Sequence, residues 1–207
     1  MFSNGYSEMF IDLSPAVQLV KFLQVAKLIT AIHDQNIVHG SIQPRNIMSL
    51  DNKYIDMVLV DYSFSAEIGS YIRKTNRFYN PPEKIDPMRI ANPDHDAFSF
   101  MITMFEMALD RYSFNDRILK GCPDDENKYN DKCYDTYDKI TDEVVTSLDN
   151  FEIQKKFFKF LKERLFNRTK MYVFSVKQAT MAEIINKLLE LIKEAYIKNP
   201  KEKKKYR

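Results

Sequence analysis

The stretch from Ile37 to Ser65, IVHGSIQPRNIMSLDNKYIDMVLVDYSFS, decides how the rest of the chain is read. Val38 to Ser41, Ile47 to Leu50 and Met57 to Val60 are short apolar runs of strand character, with Asp51-Asn52-Lys53 as turn chemistry between the second and third. The small sheet they imply presents a polar loop carrying His39, Pro44 and Asn46, and its third strand delivers Asp61. Strand, polar turn, strand and aspartate occur together in many folds. The flanking segments must therefore discriminate.

Upstream, Ser14-Pro15 is a helix start, a cap followed by a first-turn proline. Leu19, Phe22, Val25, Ala26, Ile29 and Ile32 then recur at helical spacing as far as His33, which predicts one long buried face with His33 as a capping or core residue. Downstream, about Asp96 to Leu109 is apolar nearly all round, the pattern of a helix buried on every side. Asp110 to Asp149 is polar and acidic, and reads as a long loop with room for one short helix. Ile153, Phe157, Phe160, Leu161 and Leu165 form the stripe of a further helix. Thr180 and Glu183 make a capping box ahead of a last helix lined by Met181, Ile184, Ile185, Leu188 and Ile192.

Composition narrows the classes. With 207 residues, 44% hydrophobic, the chain can bury a substantial core and is not disordered as a whole. Its 31 basic and 29 acidic residues nearly cancel, so no overall field argues for nucleic acid or a membrane surface. Lys198 to Arg207 is mostly basic and reads as a solvated tail. Cys122 and Cys133 lack nearby histidines, so they form no metal pattern. No secretory h-region and no apolar run near eighteen residues are read in the sequence, so the expectation is a cytoplasmic protein with free thiols and no transmembrane segment.

Four motifs in order resemble those of the protein kinase superfamily. His39, Pro44 and Asn46 stand at the spacing of the catalytic loop H-R-D-L-x-P-x-N, and Asp61-Tyr62-Ser63 stands where the metal-binding D-F-G triplet belongs. Asn76-Arg77-Phe78-Tyr79-Asn80-Pro81-Pro82-Glu83 is similar to the "t-R-x-Y-x-A-P-E" close of the activation segment. Asp96-Ala97-Phe98-Ser99-Phe100 and Phe105-Glu106-Met107 are similar to the "D-V-W-S-L-G…Y-E-M" helix. The resemblance implies a mainly α fold with a small β element (α+β), a kinase-like C-terminal lobe over 14–197 with the N-terminal lobe absent. Residues 1–13 would be a linker remnant and 198–207 a basic tail. It also implies that Asp96 is structural, accepting hydrogen bonds from the catalytic-loop backbone. Glu83 would be structural too, although its usual arginine partner is replaced by Gln178, with Lys177 as a substitute.

The departures fall on the chemistry. Phosphoryl transfer needs a cradle over the phosphates, a lysine, metal ions and a carboxylate that takes the hydroxyl proton. No G-x-G-x-x-G is found among four glycines, and no V-A-I-K-like lysine precedes the first helix. Gly40 stands at the arginine position, Ser41 at that of the proton-accepting aspartate and Gln43 at that of a frequent lysine. A serine hydroxyl stays protonated near neutral pH and cannot serve as that base. Loss of the arginine at Gly40 would leave phosphorylated Thr75 or Tyr79 without its usual reader.

The expectation is thus a catalytically inactive, pseudokinase-like lobe with no intact catalytic residue in His39, Gly40, Ser41 and Asn46. It would act as a regulatory, decoy or scaffold protein by binding another protein, such as another kinase or its small lobe, through an apolar upper surface formed by His39, Met48 and Tyr62. No tightly held cofactor is expected; Asn46 and Asp61 retain the means to ligate Mg²⁺ with ATP phosphates at low affinity. The alternative is a truncated protein kinase, active in ATP-dependent phosphorylation, whose small lobe is missing from this chain. A nucleic-acid or membrane-surface adaptor working through Lys198 to Arg207 is a third reading, and no nucleic-acid partner is expected.

Overall fold

The computed structural model describes residues 13–49, 56–72, 79, 89–108, 117–118, 120–121, 129–148, 151–165 and 180–198. Among them lie five α-helices: α1 (Pro15–His33), α2 (Pro93–Ala108), α3 (Tyr129–Ser147), α4 (Glu152–Leu165) and α5 (Met181–Lys198). The β element is three two-stranded antiparallel ribbons: β1 (Ile37–Val38) with β4 (Ala66–Glu67), β2 (Ile47–Ser49) with β3 (Met57–Leu59), and β5 (Tyr71–Ile72) with β6 (Arg89–Ile90). The protein is mainly helical, with little sheet. The expected 51–53 turn, the 76–83 motif apart from Tyr79, Glu83, Lys177, Gln178 and the tail beyond Lys198 lie outside the described residues. So do residues 1–12 and Cys122, and nothing is described of the Cys133 side chain.

Helix α2 is the axis. Every residue from His95 to Met107 is buried, because the helix carries apolar side chains all round and is packed by α1, α3 and α4. Helix α1 lies along α5 and places Leu19, Phe22, Val25, Ala26 and Ile29 in the core. Phe22, Phe105, Phe157 and Phe158 meet where α1, α2 and α4 converge; the Phe158 ring centroid is 5.1 Å from Phe105, 5.6 Å from Phe157 and 6.3 Å from Phe22. Over the 18 residues Ala16–His33 mean hydropathy reaches 1.2, so α1 is long and apolar enough to cross a membrane by length and composition, contrary to the expectation of no such run. In the fold its apolar side is spent on α2 and α5, the behaviour of a core helix.

The helix ends follow from local chemistry. At α5 the capping box is closed in both directions: Thr180 N–H donates to Glu183 Oε2 at 2.9 Å, and Glu183 N–H to Thr180 Oγ1 at 3.3 Å. At α1, Ser14 takes the N-cap backbone conformation without a side-chain cap bond, and Pro15 fills the first turn, where a missing N–H is harmless. The largest difference from expectation is α3, a 19-residue helix in the stretch read as loop. Tyr137, Ile140, Thr141 and Val144 make a helical stripe and are buried, but the acidic residues around them mask the period in a composition-based reading.

The strands also depart from expectation. The first ends at Val38, which leaves Ser41 in the loop, and it pairs with β4, not with β2. Among the described residues there is accordingly no single sheet: β1–β4 and β5–β6 join through a separate small core of Val38, Ile72 and Ala91.

Candidate functional site

The loop after β1 is held by the N-terminal turns of α2. His39 N–H donates to Asp96 Oδ2 at 2.7 Å and Gly40 N–H to Asp96 Oδ1 at 2.9 Å, while Asp96 itself is 0% exposed. His33, at the end of α1, brings Nε2 within 2.9 Å of the same Oδ2. One carboxylate thus gathers three polar groups from two parts of the chain, and the His39 and Gly40 amides would be buried without an acceptor if it left. Farther along α2, Thr103 Oγ1 donates to the Ile42 carbonyl at 3.3 Å. Sequence reading assigned His33 only to the cap or core; its link to Asp96 depends on the crossing of α1 and α2, which no local pattern encodes.

Within the loop, Ser41, Gln43 and Asn46 close on one another. Ser41 is 3% exposed, and its Oγ accepts from Gln43 Nε2 at 2.9 Å and from Asn46 Nδ2 at 3.0 Å. Asn46, equally buried, also donates Nδ2 to the Ser41 carbonyl at 2.8 Å. Pro44 starts the 3₁₀ turn Pro44–Asn46 that swings Asn46 inward and hands the chain to β2. A serine, a glutamine and an asparagine thus form a neutral, buried network.

Gly40 is more than a missing side chain. Its φ is +73°, and a Cβ there would lie 2.5 Å from the Phe64 carbonyl oxygen. Both the backbone conformation and the close approach of the 61–65 segment call for glycine.

Asp61 follows β3 with φ +63° and ψ 70°, a left-handed conformation that aspartate tolerates better than most residues. Its carboxylate is exposed and turns back on its own chain, accepting from Ser63 Oγ at 2.5 Å and Ser63 N–H at 3.4 Å. The Ser63 hydroxyl, chiefly, holds the Asp61 carboxyl below its ordinary value. Asp61 is therefore an anion at neutral pH and fits a cation. Asn46 is buried with its amide nitrogen bonded to Ser41, and Mg²⁺ needs near-octahedral oxygen ligation. Among the described residues no group of three or more His, Cys, Asp or Glu side chains is placed to hold a metal ion.

The expected apolar upper surface is different in the structure. His39 is 0% exposed and Met48 is half-buried, whereas Tyr62 is 44% exposed. The reason is a ring contact: the Tyr62 ring lies 4.6 Å from the His39 imidazole, tilted 50° to it, and covers it. Tyr79 is likewise unsuited to modification as it stands, being 5% exposed with its hydroxyl donating to the buried Glu106.

Burial pushes the His39 imidazole below its ordinary value of 6.5, against the opposing pull of the Asp96 carboxylate and the Val60 backbone. The sign follows: below about pH 6.5 the unfolded chain takes up a proton that folded His39 resists, so folding weakens as pH falls through that range. One proton corresponds to a slope of at most about 1.4 kcal/mol per pH unit. Melting curves from pH 8 to 5 should show this loss, and His39→Phe should flatten it. An unchanged slope in the variant would assign the loss to other groups.

Comparison with known proteins adds little to this geometry. No family model matches the chain, and no curated protein sequence matches it. Among solved structures, the Cydia pomonella granulovirus kinase PK-1 is similar with a TM-score of 0.37 and 22% identity, over 43% of this chain and 34% of that one. The match therefore spans about a third of the viral kinase's length.

Proposed function

We propose that this chain is a catalytically inactive, protein-kinase-like lobe that works by binding another protein, as a regulator, decoy or scaffold. The observation that carries the reading is Ser41. It stands at the position of the family's proton-accepting aspartate, is buried, and has its oxygen engaged by Gln43 and Asn46. A hydroxyl in that setting is neither a base at neutral pH nor placed to reach a substrate. The loop around it is nevertheless held firmly by Asp96, which is consistent with selection for shape. Asp61 remains as an exposed anion, so weak association with Mg²⁺ and ATP is part of the proposal and a resident cofactor is not.

The partner favoured here is another kinase or its small lobe, met by the surface that carries Tyr62. Binding is tested by titrating the purified chain against a panel of kinase small lobes. Association that Tyr62→Ala weakens supports the reading; no binding across the panel by a stable, monodisperse monomer counts decisively against it. Nucleotide is tested by thermal shift with millimolar ATP and Mg²⁺, where the expected rise in Tm is under about 1 °C, that of occupancy near or below half. A rise of several degrees that Asp61→Ala abolishes, together with phosphoryl transfer, would instead point to an active kinase.

A further inference from the structure

Two stretches of chain, 36–49 and 57–68, run antiparallel and are joined at both ends. At one end Ile68 N–H donates to the Asn36 carbonyl at 2.9 Å, with Ile37 opposite Glu67 and Val38 opposite Ala66. At the other, Val60 N–H donates to the Asn46 carbonyl at 2.9 Å, and Ile47, Met48 and Ser49 stand opposite Leu59, Val58 and Met57. Between these ends two turns face each other, and they touch twice: the His39 and Tyr62 rings meet at 4.6 Å in a tilted contact, and the Gly40 backbone abuts the Phe64 carbonyl. The 39–40 backbone is in turn bound to Asp96 on α2.

From this closure we infer that residues 61–65 are a fixed turn and not a switch: they open only together with the 36–49 stretch, and Gly40 is the residue that permits the closure. Swinging the turn outward requires breaking one of the two ribbons, and the ribbon partner is anchored to the buried helix. The left-handed Asp61 contributes to the rigidity. Its conformation is sustained by the Ser63 bonds and by β3 behind it. The inference extends the binding proposal without depending on it. A locked turn presents Asp61 and Tyr62 in one preorganised arrangement whether or not a partner exists.

Native-state amide exchange on the full chain tests it. The Ser65 and Ile68 amides, which donate to Tyr62 and Asn36 carbonyls, should be protected to within about tenfold of the His39 and Gly40 amides, as expected of one cooperative unit. Gly40→Ala should speed exchange at Ser65 and Ile68 by about tenfold, the ratio set by a left-handed L residue, with smaller changes in α1 and α5. Tyr62→Ala, which introduces no backbone strain, should speed the same amides by about threefold to tenfold. It decides the matter if the alanine at position 40 prevents folding. Wild-type Ser65 and Ile68 amides exchanging more than about a hundredfold faster than those of His39 and Gly40 would show an independently opening segment. That result would overturn the inference, as would unchanged exchange in both variants.

Discussion

Asp96→Ala lowers the free energy of unfolding by about 3–5 kcal/mol, because the His39 and Gly40 amides each lose a buried acceptor worth roughly 1–3 kcal/mol and His33 loses its partner as well. The substitution removes an acceptor that the chain cannot replace locally, since water has no access to a carboxylate that is 0% exposed. Asp96→Asn should cost about half as much, its one amide oxygen serving one donor while its NH₂ confronts another. Urea titration followed by far-ultraviolet circular dichroism gives both values, provided the slope with denaturant is unchanged. A loss below about 1 kcal/mol for the alanine variant would mean that the loop finds other acceptors, and that Asp96 does not organise the site.

Phe158→Ala should cost a similar amount, about 3–5 kcal/mol, for a different reason. Phe158 is 2% exposed and meets three other rings, so truncation leaves a cavity at the junction of α1, α2 and α4 that none of the three helices can collapse alone. Phe158→Leu, which restores most of the volume, should lose under about 1.5 kcal/mol. Phe151→Ala, at 47% exposure, should stay within about 0.5 kcal/mol of wild type and serves as the control. The same titration distinguishes them. Equal losses at Phe158 and Phe151 would contradict the placement of the core. Unlike Asp96→Ala, the Phe158 variant should leave the relative protection of the loop amides intact, because it perturbs packing behind the site and not its hydrogen bonds.

Much of the fold was legible because local rules and the tertiary outcome agree. The proline-started α1, the all-apolar α2 and the capped α5 carry their signals within a few residues each. Within α4, however, Phe158 is buried alongside Phe157 although the stripe pattern singled out only the latter. Two aromatics in succession can both be buried where a helix is covered on two sides. Helix α3 was missed because its buried stripe is diluted by Asp135, Asp138, Asp142 and Glu143 on the other faces. The short strands β4, β5 and β6, each of two residues, offer too little sequence for any period to register.

For the site, the sequence by itself determined which groups are chemically available: a serine, a glutamine and an asparagine in the loop, an aspartate after a strand, and no histidine or cysteine pattern for a metal. That inventory excludes a proton acceptor at Ser41 whatever the fold does. Only the tertiary structure decided how those groups are used. It turned Ser41, Gln43 and Asn46 into a buried closed network, covered His39 with Tyr62, and revealed Gly40 as the point where two turns meet. The physical reason is that each of these outcomes depends on contacts between segments far apart in the chain. His33 and Asp96 are separated by 63 positions. Composition and spacing constrain what a residue can do, but burial and partners, set by helix crossings and strand pairing, determine what it does.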